Sequence, residues 1–477
     1  MNKYFKQSLE AVMLLFCLLA SGISLSSTMK EVKDKTGLSL KSAVDMAIKY
    51  DPWLQANKHQ QDSIESTSIA AGTLPDPKVS IGVANIAAET FQFDQEMMTQ
   101  FKVGVSQMIP RGDSLAIKQR QLNLMASALP FQREERKAQI TIIISQLWLD
   151  IYKAQQSIAL IEKDRALFEQ LADIAQASYA SAIGKTRQQD IVRAQLELTR
   201  LDDRLTMLKQ QKEMRLQKLS EWINHWFGSK YLANVESEMS SKSSLKSDVS
   251  RQLPVIKMLF PDSFLDKNTS TVQELSEYLY DHPAILAVEQ KIKASKSGIE
   301  LAKQNYKPAW NLNAGYGYRA EDSSGRERAD LFSIGVSFDI PLFTGNRQDK
   351  QVRSAIANTS AVKTEKWMMM RKMIASAEIH RSHLNRLMER KTLYNTKLLP
   401  QMHDQVEASL TAYTNDDGDF AEVVRSKIAE LNAAIDSLVI EVEIQKNIVQ
   451  LNYYFMKGEQ QIVTTQINQT NSVGAIK

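Results

Sequence analysis

Trp310-Asn311-Leu312-Asn313-Ala314-Gly315-Tyr316-Gly317-Tyr318 and Phe332-Ser333-Ile334-Gly335-Val336-Ser337-Phe338-Asp339-Ile340 lie between Pro308 and Pro341. Polar or small residues, Glu321 to Asp330, separate the two runs. Both alternate apolar with small or polar residues at period 2, the pattern of strands with one greasy face. They predict strands at 309–319 and 331–342. A lone hairpin is marginal in water, so this face needs a cover, either a second sheet layer or lipid.

The rest of the chain bears on that choice. Its 477 residues carry a formal net charge of +4 and no basic run, which argues against a nucleic-acid partner. Lys3 and Lys6 precede an apolar core from Ala11 to Ala20, then Ser21, Gly22 and Ser24. This predicts a signal peptide over 1–24 and hence export. Cys17, the sole cysteine, lies in that core behind Phe16, where lipidation wants a small residue, so no lipid anchor is expected. Past the signal no apolar run reaches the ~18 residues of a spanning helix. Any membrane entry must be as a β-barrel.

Helical periodicity runs from Ser39 to Ala71, and Leu74-Pro75-Asp76-Pro77 ends it. Val79, Ile81 and Val83, then Phe101, Val103 and Val105, predict strands at 79–86 and 101–109. A helical tract from Gly112 to Ala182 would span roughly 105 Å unbroken, and Pro130 should kink or interrupt it. Its stripe of Leu147, Ile151, Ala154, Ile158, Ile161, Phe168, Ala172 and Ala175 steps by fours and threes like a coiled coil, with Arg165 the one break. A tip near 183–187 leads to a return helix. Serine- and lysine-rich 229–271 reads as a linker with little regular structure.

The pattern then restarts. A helix from Val272 to Tyr306, the strand pair, a helical tract from Gly345 to Ala412 interrupted near Pro400, a tip near 414–419 and a return helix to Phe455 follow, with 457–477 as a tail. Pro52 and Pro283, Pro77 and Pro308, and Pro110 and Pro341 are each 231 positions apart. The doubling predicts two similar repeats, 38–228 and 272–456. Pro77, Pro110, Pro308 and Pro341 mark the helix–strand joints, where proline is tolerated.

Four strands cannot close an outer-membrane barrel, which needs at least ~8, so strands must pool across chains or sit in a soluble sheet. Trp310, Tyr316, Tyr318, Phe332 and Phe343 are candidate interfacial girdle residues. Several stretches carry a resemblance: Leu38-Ser39-Leu40-Lys41-Ser42-Ala43 with Asp51-Pro52, Leu74 to Pro77, Ile340-Pro341-Leu342-Phe343-Thr344-Gly345 with Arg347, and Gly418-Asp419-Phe420 through Arg425. The chain resembles the TolC-type outer-membrane efflux proteins, with Leu74 to Pro77 most similar to the heavy-metal branch. The resemblance implies a mixed α and β membrane protein: a homotrimer whose chains pool their strands in one outer-membrane barrel, continued by a periplasmic α-helical barrel. It also implies outer-membrane lipid around the barrel of a Gram-negative cell, and a periplasmic adaptor and an inner-membrane pump docking at the helical tips.

By that resemblance Asp416, Asp417 and Asp419 are candidates for the periplasmic gate. Repeated around one mouth, they would favour cations. The alternative is an ordinary solvated turn, and Asp416 stands where the family usually has glycine. Gly184, Lys185, Thr186 and Arg187 at the first tip are the candidate adaptor contact. His380 and His383, with Glu378 nearby, have metal-compatible spacing but no evident third ligand, so a solvated helix face is the expectation. Met368, Met369, Met370 and Met373 suit soft ions, yet consecutive helical positions diverge, which favours packing. No metal site, cofactor or catalytic motif is expected, and no enzyme. The expected role is a passive exit duct for metal ions or small toxic compounds. A type I protein secretion duct is the alternative within that class, and a soluble periplasmic coiled-coil scaffold the alternative outside it.

Overall fold

The computed structural model describes residues 37–180, 188–223, 248–266, 272–415 and 418–458. The expected signal peptide with Cys17, Gly184 to Arg187, Asp416 and Asp417, and the tail beyond 458 lie outside the described residues.

Helix α1 (Leu40–Tyr50) starts at Ser39, whose hydroxyl accepts the Ser42 amide at 3.2 Å. Helix α2 (Pro52–Ala71) restarts at once. Asp51 caps it, accepting the Trp53 amide at 2.9 Å, and Pro52 occupies the first turn, where no amide hydrogen is needed. Strands β1 (Lys78–Ala84) and β2 (Gln100–Ile109) follow, then α3 (Ser114–Ala126), α4 (Ala128–Ala180) and α5 (Gln188–Ile223). The second half comprises α6 (Val272–Tyr280), α7 (Pro283–Gln304), β3 (Trp310–Tyr318), β4 (Leu331–Phe338), α8 (Gln348–Leu393), α9 (Leu399–Thr414) and α10 (Phe420–Tyr454). His282 caps α7 as Asp51 caps α2: its Nδ1 accepts the Ala284 amide at 3.2 Å and Pro283 follows. Both caps are buried and both face α4. Asp51 pairs with Arg136 at 2.7 Å, and Glu135 lies 3.8 Å from His282.

Two expected interruptions take other forms. The first tract breaks at Ser127, not at Pro130, which falls in the opening turn of the next helix, where the amide hydrogen it lacks has no partner to meet. At Pro400 the second tract is not interrupted. A π-helical turn, Tyr394–Leu398, carries α8 into α9 and absorbs the bond proline cannot make.

The helices bury their own apolar stripes. Ile140, Ile144, Trp148 and Ile151 of α4 meet Ala43 and Ala47 of α1, Leu219 and Ile223 of α5, and Val442 of α10. The Trp148 indole donates to the Leu38 carbonyl at 2.8 Å. Toward the tips, Ile158, Ile161 and Phe168 pack with Leu201 and Leu205 of α5 and with Phe420, Val424 and Leu431 of α10. Each such side chain contributes about 1.5–3 kcal/mol on burial. Arg165, the break in the stripe, reaches Asp202 of α5 at 2.9 Å.

The expected linker is only partly one. Residues 248–266 contain a single turn of 3-10 helix, Asp262–Leu265, yet they pack tightly. Val249 bridges to Leu38, and Phe260 and Phe264 are buried with Leu275, Leu279 and Phe455. Apolar residues spaced irregularly among polar ones fill grooves between helices.

The strands form one antiparallel sheet in the order β1-β2-β3-β4, so the halves join at β2–β3. β1 ends at Ala84 and β4 at Phe338, short of the expected bounds. Among the described residues no helix is long and apolar enough to cross a membrane.

Candidate transport surface

The register aligns most of the apolar positions on one side of the sheet, with Leu331 and Met108 on the other. Val103 lies opposite Ile81 and Tyr316, and Ala314 opposite Val105 and Ile334. Leu312 lies opposite Val336, and Trp310 opposite Phe338. Among the described residues nothing covers that face: Ile81, Ile334, Val336 and Phe338 are all more than half exposed. A scaffold with its strands buried in a sandwich would require the reverse.

The face is graded. Aliphatic side chains occupy its middle, while Phe101, Tyr316, Tyr318 and Phe332 gather at the loop end and Trp310 and Phe338 at the helix end, ring centroids 4.7 Å apart. Eight steps from Trp310 to Tyr318 cover about 27 Å of strand, or about 20 Å of height at barrel tilt. That is close to the roughly 25 Å apolar band of outer-membrane barrels with their aromatic girdles. The opposite face carries Ser80, Gly82, Lys102, Gly104, Asn311, Asn313, Gly315, Gly317, Ser333 and Ser337. The Gln100 side chain reaches over Gly317, the partner of Lys102, where a Cβ would collide with its amide oxygen. β1 and β4 pair on one side only, leaving two open edges.

Both ends of the sheet are tied. Arg328 of the β3–β4 loop donates to the Glu96 and Asp94 carbonyls of the β1–β2 loop at 3.0 and 2.9 Å. At the helix end Arg111, next to Pro110, donates to the Asn305 and Lys307 carbonyls at 3.1 and 3.0 Å and pairs with Asp339. Asp339 accepts the Ala309 amide at 2.6 Å. Thus the joints at Pro110, Pro308 and Pro341 are cross-braced, and Gln107 reaches the Pro75 carbonyl beside Pro77 at 2.8 Å. These braces escaped the sequence reading because each joins residues far apart in the chain.

At the tip, Asp419 accepts the Ala421 amide at 3.2 Å as the cap of α10. Gly418 has backbone of Tyr413 where a Cβ would stand. Further up, His403 of α9 reaches Glu430 of α10 at 2.9 Å and Glu407 at 3.5 Å. The bond to Glu430, with the Glu407 charge, raises the pKa of His403 above the ordinary histidine value.

The methionines diverge: Met370 and Met373 are buried in the core, Met369 partly, and Met368 is exposed. His380 and His383 share Asn447 of α10, and Glu378 pairs with Arg381. Among the described residues no group of three or more His, Cys, Asp or Glu side chains is placed to hold a metal ion. In the helical body His282 is fully buried, and burial lowers its pKa to about 4. Its Nε2 faces the Tyr453 carbonyl at 2.9 Å.

Residues 275–365, from α6 into α8 and including β3 and β4, match the family model of the outer membrane efflux protein. In fold the chain is similar to the outer membrane protein VceC of Vibrio cholerae, with a TM-score of 0.67, 12% identity and coverage of 88% of this chain and 96% of that one. It is likewise similar to the CmeC outer membrane channel of Campylobacter jejuni, with TM-score 0.66, 14% identity and coverage of 89% and 88%. CusC, a transmembrane channel, gives 0.67, 12%, 88% and 92%. No curated protein sequence matches the chain. The resemblance to TolC-type proteins read in the sequence is borne out by that segment and by the fold.

Proposed function

We propose that this protein is the outer-membrane exit duct of a tripartite efflux system, conducting metal ions or small toxic compounds from a periplasmic adaptor and an inner-membrane pump to the outside. One observation carries the reading. A four-stranded sheet presents a continuous apolar face and two open edges, while the attached helices bury their own stripes. Only lipid outside and sheet edges from other copies of the chain satisfy both demands at once. In this reading β4 of one copy pairs with β1 of the next, and the resemblance to the TolC-type proteins sets the copy number at three, a homotrimer. Residues 38–228 and 272–456 are the chain's two repeats, and helical hairpins extend into the periplasm of a Gram-negative cell.

The tips meet the adaptor, with Gly184 to Arg187 the contact and Asp416, Asp417 and Asp419 at the gate. No bond-breaking chemistry is assigned to the chain. It shapes a lumen, and energy comes from the pump.

Deleting the gene and scoring sensitivity to metals, dyes and drugs tests the role. Hypersensitivity to at least one class, restored by the wild-type gene, is expected, and unchanged sensitivity to all would refute it. The protein should leave membranes only with detergent. Release by plain buffer would instead favour a soluble scaffold. A type I secretion duct shares this architecture and is distinguished by an ATP-driven exporter gene next door.

A further inference from the structure

His380 and His383 stand one turn apart on α8. Both rings turn their Nδ1 atoms to a single acceptor, the Asn447 side-chain oxygen on α10, at 3.1 and 3.2 Å. Asn447 is 96% buried, and its amide nitrogen donates to the Glu443 carbonyl at 2.8 Å. That bond fixes the amide, so the oxygen, not the nitrogen, faces the two imidazoles. Glu378, the carboxylate nearest in sequence, is held by Arg381 and does not compete. The outcome is two imidazole nitrogens and one amide oxygen converging from two helices.

We propose that His380 Nδ1, His383 Nδ1 and Asn447 Oδ1 form a site for one divalent transition-metal ion of the borderline class, such as copper(II), zinc or nickel. Ligand atoms about 2.0–2.1 Å from a tetrahedral metal lie about 3.3 Å from one another, close to the two imidazole-to-amide separations of 3.1 and 3.2 Å. Imidazole nitrogen with a neutral oxygen suits those ions rather than calcium or magnesium. Without metal, both Nδ1–H groups donate to the oxygen. On binding, each ring moves its proton to Nε2 and offers the Nδ1 lone pair, so no proton is released, and water completes the coordination. The third ligand that the sequence lacked comes from a helix more than sixty positions away. The site does not depend on the proposed duct.

The test is copper(II) titrated into the purified, untagged, detergent-solubilised protein and followed by electron paramagnetic resonance. The wild type should take up about one copper per chain with nitrogen splitting from two imidazoles. His383→Gln and His380→Gln should each lose one nitrogen and weaken binding, whereas His403→Gln should change neither. No uptake by the wild type, or a signal unaltered in the His380→Gln/His383→Gln double variant, overturns the proposal. A check on the wild type alone guards against misfolded variants. Zinc should protect both histidines from carbethoxylation as read by peptide mass, and equal labelling with and without zinc also overturns it.

Discussion

Ile334 of β4 and Ile144 of α4 are the same side chain in opposite surroundings, one 74% exposed and the other fully buried. Around each, neighbours repeat the choice. The sheet exposes its apolar side, opposite a side of serine, glycine and asparagine, while the helices hide their aliphatic stripes and show charge. A chain obeying one solvent would not do both. In the proposed duct the boundary between lipid and water falls at the joints, where Arg111, Lys307 and Asp339 sit among the prolines.

One substitution made at both places attacks the comparison directly. Ile144→Arg should destabilise by more than about 4 kcal/mol, since it buries an unpaired charge. No folded protein should be recovered from the outer membrane. Ile334→Arg should cost about 2–4 kcal/mol if the sheet faces lipid and under ~0.5 kcal/mol if it faces water. Refolding titrations into lipid vesicles measure that difference, and a near-zero value would break the lipid assignment.

A smaller effect sharpens the helical side. His282 has its pKa depressed to about 4 by burial, so its contribution is present above the ordinary value of 6.5 and lost as pH falls toward 4. Up to about 3 kcal/mol should disappear across that window. Glu135 opposes the trend, because burial raises its pKa and favours its neutral form at low pH. Denaturant midpoints of wild type and His282→Gln at pH 7 and pH 4 should converge toward acid. Parallel curves would mean that His282 is not buried neutral.

The smallest expected effect lies near the tip. His403 has a raised pKa, so its ionic bond to Glu430 is complete below the ordinary histidine value and fades as pH rises through the folded one. Amides of α9 should lose hydrogen-exchange protection between pH 6 and 8.5, after correction for intrinsic rates, and His403→Gln should remove that pH dependence.

Much of this could be read before the fold was seen, for identifiable reasons. Period-2 alternation is legible in β3 and β4 because adjacent strand residues point to opposite faces, and in the proposed duct lipid and lumen ask opposite things of them. The prolines mark the joints because neither element accepts them inside. What escaped reading depended on distant partners. Phe260 and Phe264 sit in a stretch with no helical or strand periodicity and become core only when α6 and α8 bracket them. Asn447 looks like one more helix residue until α8 lays two histidines on it. At Pro400 the sequence announces a disturbance but not its form, since a break, a kink and a π turn all relieve a missing amide hydrogen.

That π turn sets an angle. The Leu399 amide reaches back to Tyr394 rather than to the residue after it, so one surplus residue is wound into the helix. Each residue advances an α-helix by about 100°, and everything beyond it therefore points a different way than an unbroken helix would. Removing one residue from 394–398 would leave the composition almost untouched yet swing α9 around its own axis, making the lower end of the molecule more sensitive to deletion than to substitution.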